Sequence, residues 1–214
     1  MSAVGLAEMA VLRCDDGGAE YWSNMAHKLA KMSGQAHDIC HYTIFVGCVF
    51  PMFLKQYDVV WENAQKLKDI ASDHNLEAWT AYAELFESCV MIQEGKLDEG
   101  CVLARSAIIR VKNMSGFLDF CLIFHAEACV NSGLIAEARA SFDAIGDFLQ
   151  DDTWLSAEFS RICNDISFHE GQDKDVILAS FDRASELAGR QGAQLFQHKI
   201  AECRSAIAMT KANS

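Results

Sequence analysis

His37 and His41 stand one helical turn apart in the run His37-Asp38-Ile39-Cys40-His41, with Cys40 beside the second. Two histidines at i and i+4 share a helix face, so both imidazoles can reach a single metal ion. A third and a fourth ligand would have to come from another helix. The zinc-protease pattern needs Glu directly after the first His, and here that position is Asp38. Histidines packed on a surface or between helices are the simpler reading. The expectation is therefore no metal and no cofactor, with His37 and His41 as the candidate pair if a metal is bound.

A second set of groups able to do chemistry is Glu84, Glu87, Asp119, Glu127 and Glu158. Paired carboxylates carry out acid–base catalysis when a closed, water-poor cleft separates their proton affinities. On an open helical face they act instead as receivers for a Lys- or Arg-bearing ligand. The aromatic residues Tyr42, Phe45, Trp79, Tyr82, Phe86, Phe117, Phe120, Phe124, Trp154 and Phe159 recur on the same segments. Most are expected in the core. Those left exposed would serve as interface anchors, a role that Trp and Tyr often fill. No G-x-S-x-G, S-x-x-K or G-x-G-x-x-G motif occurs. No residue pattern therefore gives a positive reason to propose catalysis, and the expectation is a protein that is not an enzyme.

Composition points the same way. The formal net charge is −12 and no run of Lys and Arg occurs, which argues against a phosphate-neutralising nucleic-acid surface. The nine cysteines, Cys14 to Cys203, form no C-x-x-C pair, and most sit in apolar stretches. They read as small buried hydrophobes in a reducing compartment. The segment Met1 to Leu12 carries Glu8 and no basic start, unlike a secretory leader. The longest apolar stretch, Tyr42 to Leu54, has 13 residues, too few to span a bilayer. Asn113-Met114-Ser115 matches a glycosylation sequon, without meaning unless the chain is secreted. A cytoplasmic location and no membrane contact are expected.

These side chains must be positioned by helices. The chain holds a single proline, Pro51, and no sustained alternation of polar and apolar residues, so helices joined by short turns are expected and strands are not. Gly95, Gly133 and Gly171 each follow an apolar segment and precede a polar start, at intervals of 38 residues. Lys55 holds the same place 40 residues before Gly95. A glycine takes positive φ cheaply, so these positions end one helix and turn the chain into the next. Gly100, Ala104 and Ala107 follow the first glycine by 5, 9 and 12 residues, and Ala138, Phe142 and Ile145 follow the second in step. Val60, Ala64 and Leu67 keep the same offsets from Lys55; Phe181 and Ala184 take the equivalent places after Gly171, one residue late. Those offsets put small and apolar residues on one helix face.

Further breaks fall at Met32-Ser33-Gly34, Asp73-His74-Asn75, Asn113 to Gly116, Gln150-Asp151-Asp152 and Gln191-Gly192, with Ser115 and Asp152 as candidate N-caps. The reading is a tail or partial helix over 1–18 and a repeat domain over 19–210. That domain comprises a helix from about Ala19 to Lys31, hairpins over 35–72, 75–113, 117–149 and 153–189, and a polar capping helix from Ala193 to Thr210. A tail covers 211–214. The fold class is all-α, a right-handed solenoid of four to five antiparallel hairpins.

Tyr42 to Ala206, about three quarters of the chain, resembles the tetratricopeptide-like C-terminal region of large bacterial signalling proteins. The residues that carry the resemblance are Ala64 to Ala71, Glu94 to Gly100, Ala126-Glu127-Ala128 with Ser132-Gly133, and Ser180 to Ala188 with Arg190 to Ala193. Such proteins join this region to an ATPase module and to a cyclase-type or winged-helix domain. This chain has no G-x-x-x-x-G-K-[ST] loop and no basic recognition helix. The resemblance thus implies the sensing or docking arm of a signalling or transcription regulator. Its partner would be a protein or peptide held at a concave face by Trp79, Tyr82, Phe86, Phe120, Phe124, Glu127, Trp154 and Glu158. Uncapped ends would permit homo-oligomers. The alternatives are a receptor for a small signalling peptide or metabolite, and a metal-dependent enzyme built on His37 and His41.

Overall fold

The computed structural model describes residues 2–111, 117–145 and 153–210. Among these residues every regular element is helical and none is a strand, so the fold is all-α. The candidate caps Ser115 and Asp152, the breaks at 113–116 and 150–152, the sequon and the tail 211–214 lie outside the described residues, as does the side chain of Asp119.

Helix α1 (Ala3–Leu12) is capped by Ser2, whose hydroxyl accepts from the Gly5 N–H at 3.1 Å. Helix α2 (Asp16–Ser33) is capped by Asp15, which accepts from the Gly18 N–H at 3.0 Å. Most of the stretch before Ala19 is therefore helical, and the helix expected from Ala19 starts three residues earlier. Next comes a continuous helical rod made of α3 (Ala36–Ile44), a π-helical turn (Phe45–Val49) and α4 (Phe50–Phe53). Pro51 explains the π turn. It has no N–H, and its ring crowds the carbonyl four residues back, which would break an α-helix. The turn widens so that the Phe50 N–H reaches the Phe45 carbonyl, five residues back, and the helix continues past the proline.

The rest of the chain forms α5 (Tyr57–Asp73), α6 (Glu77–Gln93), α7 (Leu97–Val111), α8 (Leu118–Asn131), α9 (Ile135–Ala144), α10 (Ser156–His169), α11 (Lys174–Gln191) and α12 (Gln194–Met209). Gly95, Gly133 and Gly171 all have positive φ, and so does Lys55. In each case the next residue donates its N–H to a carbonyl five positions back: Gln56 to Pro51, Lys96 to Met91, Leu134 to Cys129 and Gln172 to Ser167, at 2.8–3.1 Å. Cys14 repeats the geometry between α1 and α2, with φ 55° and Asp15 bonded to Ala10 at 2.9 Å. Asn75 and Gly192 make the same turn, with Leu76 bonded to Ala71 at 2.8 Å and Ala193 to Ala188 at 2.9 Å. The one-residue slip after Gly171 also has a cause. Asp173 caps α11, so the helix starts three residues after the glycine, where α7 and α9 start two after theirs.

The periodic positions form the core. Val60, Ala64, Leu67, Ala104, Ala107, Ala138, Phe142, Ile145, Phe181 and Ala184 are all buried. A Cβ on Gly100 would meet the Ile92 side chain at 2.7 Å and the Ser88 carbonyl at 3.0 Å, so α6 and α7 approach as closely as they do only with glycine there. Each helix packs on its hairpin partner: α5 on the rod, α6 on α7, α8 on α9, and α10 on α11. Helix α6 also meets α8, α8 meets α10, and α10 meets α12; α1 packs on α2 and touches both the π turn and α12.

Candidate functional site

The aromatic residues gather around the rod. Phe45 lies 5.2 Å from Phe117 and 6.0 Å from Phe120, between ring centroids. Phe53, just past Pro51, reaches Phe124 at 4.9 Å, Phe196 at 5.3 Å and Trp154 at 6.4 Å. The rod thus covers part of α8 and α12, a face that sequence reasoning had left open. Phe86 and Phe124 are 1% exposed and Tyr82 4%, so these three act as packing groups. Trp79, Phe120 and Trp154 are half-buried.

Where α3, α6 and the start of α8 meet, the cluster opens into a recess of about 400 Å³. His37 and His41 form one wall; Trp79, Tyr82, Phe45 and Phe117 form the others. The His37 ring stands edge-on to Trp79 at 5.1 Å, and His41 lies 4.8 Å from Phe45. The i, i+4 pair is therefore side by side, as its spacing requires, but turned toward aromatic rings. Burial, followed by the neighbouring His37, lowers the proton affinity of His41, against an opposing pull from Asp38. No group of three or more His, Cys, Asp or Glu side chains among the described residues is arranged to hold a metal ion.

A second cluster lies at α8, α10 and α12. Arg161 donates to both Glu158 oxygens, at 2.7 and 2.9 Å, and to Glu127 at 2.5 Å. Lys199 donates to Glu158 at 2.5 Å and lies 3.0 Å from Glu127. Its ammonium also sits 5.6 Å from the centroid of the Phe53 ring. Glu158 is fully buried and Arg161 and Lys199 nearly so. Burial alone would raise the Glu158 carboxyl; the Arg161 and Lys199 charges outweigh it and hold the group well below the usual carboxylate range. Two carboxylates thus face two basic side chains. This suits tying three helices together more than passing a proton. Sequence reasoning found Glu127 and Glu158 and missed Arg161 and Lys199. Arg161 was within reach, three residues after Glu158 on the same helix face. Lys199 comes from a helix read only as a polar cap.

All nine cysteines are free thiols. Burial pushes Cys40 up to about 11 and Cys89 up to about 12, so both are neutral, packed groups. No helix among the described residues is long and apolar enough to cross a membrane. Comparison with protein-family models, with curated proteins and with solved structures found no match.

Proposed function

We propose that the chain is a tetratricopeptide-like solenoid of helical hairpins that binds a protein segment and catalyses no reaction itself. On this reading it is the docking arm of a bacterial signalling or transcription regulator working in the cytoplasm. The repeated turn at Cys14, Lys55, Asn75, Gly95, Gly133, Gly171 and Gly192 supports a chain of helices joined by equivalent bends. The observation that carries the binding role is the recess at Trp79. Its size, about 400 Å³, suits one large apolar side chain, and half-buried aromatic walls are the usual seat of an interface anchor.

The test is selection of peptides from a displayed library on the purified chain, followed by affinity measurement on Trp79→Ala. Loss of a single aromatic anchor should weaken selected peptides by at least about tenfold, with helicity by circular dichroism unchanged. Peptides that bind the variant as tightly as the parent would overturn the assignment of the recess.

A further inference from the structure

Helix α3 packs on both α2 and α5, and a cavity of about 530 Å³ lies where the three meet. Each helix turns one face to it. Ile39, Tyr42 and Thr43 stand at i, i+3 and i+4 on α3 and form the floor, together with Ala30 of α2 and Ile70 of α5. Ala30 and Thr43 are buried and the other three half-buried. Lys31, Lys66 and Asp69 also line the cavity but are exposed, which places them at its rim. The cavity shares no lining residue with the recess at Trp79, so what it binds is independent of the docking role.

The rim charges run against those of the whole chain. The chain has 30 acidic and 18 basic side chains, yet two lysines and one aspartate line this cavity. His27 adds an imidazole, its ring 4.9 Å from that of Tyr42. Glu62, outside the lining, stands 3.9 Å from the Lys66 ammonium; both side chains are well exposed, and such a pair is worth little. The Thr43 hydroxyl and an Asn63 amide N–H are engaged by the Ile39 and Val59 carbonyls, both at 2.8 Å. The floor therefore offers packing, and the rim offers charge.

We propose that this cavity binds a small organic anion, its apolar body on the floor of Ile39, Tyr42 and Ile70 and its negative head at the rim near Lys31 and Lys66. The volume falls within the range of small-ligand sites, which are mostly apolar with a few polar groups that fix orientation. Attraction between exposed charges acts over about 8 Å at physiological salt, so neither ammonium has to touch the head. Asp69 repels the head and sets a limit on how tightly it is held. The same anionic chemistry can come from a phosphate or from a carboxylate.

The experiment is NMR of the full chain, labelled at isoleucine and threonine methyls and titrated separately with phenyl phosphate and phenylacetate. Benzyl alcohol and benzylamine, of similar size, serve as the neutral and the cationic control. At least one anion should shift the Ile39, Thr43 and Ile70 methyls saturably. It should bind at least about threefold more tightly than benzyl alcohol, the effect of one rim charge, and benzylamine should bind more weakly still. Phenyl phosphate above phenylacetate assigns the head to a phosphate, and the reverse order assigns it to a carboxylate. Lys31→Gln and Lys66→Gln should each weaken the better anion by about threefold, whereas Asp69→Asn should tighten it, all with unchanged helicity. The three positions are exposed, so the fold tolerates the changes, and a merely structural role for Asp69 would not tighten binding. Controls that bind as well as the anions would overturn the proposal. So would the absence of a saturable shift at these methyls with either anion, or an affinity unmoved in all three variants.

Discussion

Glu158, fully buried, and Glu8, partly buried, have opposite surroundings. Glu158 sits among Arg161 and Lys199, every oxygen engaged and the charge balanced. Glu8 sits in an apolar helix beside a cavity, with one oxygen unengaged and no partner cation holding it ionised. Burial acts on both in the same direction. What differs is whether other helices deliver donors to the site. A saturated network locks the helices that supply it. An unsaturated carboxyl weakens the fold at neutral pH.

The largest effect expected from breaking this contrast is in the network. Glu158→Gln leaves Arg161 and Lys199 sharing Glu127 alone, an excess buried positive charge. Removing one member of a buried pair costs about 3–5 kcal/mol, to be read from urea denaturation at neutral pH. The carboxyl of Glu158 is depressed in the folded state, so its contribution is present above the unfolded value of 4.5 and lost as pH falls below it. The acid limb of the stability profile should therefore be shallower in the variant than in the parent.

Glu8→Gln should act with the opposite sign. The folded carboxyl is raised from 4.5 to about 7. The folded state thus favours the protonated form, and the stability linked to it is complete below pH 4.5 and lost as pH rises through about 7. The variant escapes that loss. It should gain up to about 3 kcal/mol at pH 8 and nothing near pH 4, as seen in melting temperature against pH. His125 adds a sharpening control. Burial lowers it from 6.5 to about 4, so its contribution falls away as the solution is acidified through that window. In the parent the two trends oppose one another between pH 4.5 and 6.5. In Glu8→Gln the acid-side loss from His125, together with the smaller one from His41, should remain unopposed by Glu8.

The smallest effect concerns the frame that both regions share. Gly133→Ala places a side chain at φ 76° where no atom lies within 4 Å of the new Cβ. The cost is backbone strain alone, about 1–2 kcal/mol, measurable by thermal denaturation.

The frame was the legible part. Glycines after apolar runs marked three turns, Lys55 marked a fourth by its spacing, and small residues at fixed offsets proved to be the buried faces. Helix α1 was read only as a tail or partial helix, because a segment apolar on all sides has no amphipathic period to read. The Glu158 network was half legible. Arg161 is a local neighbour, whereas Lys199 is joined to Glu158 across 41 residues by packing alone. The histidine pair shows the converse: i, i+4 spacing put both rings on one face, but the identity of the group opposite them, Trp79, is a tertiary fact. Glu8 was noted only as an acid within an apolar terminus, since an unpaired oxygen becomes visible only when its surroundings are in place.

Side-by-side denaturation of Glu8→Gln and Glu158→Gln at pH 8 puts the contrast to the most direct test, because the two variants make the same chemical change at a partly buried and at a fully buried site. Opposite signs are expected, a gain in stability for the first and a loss for the second. Two losses of similar size would mean that Glu8 is as well partnered as Glu158, and the distinction between a saturated and an unsaturated site would be contradicted.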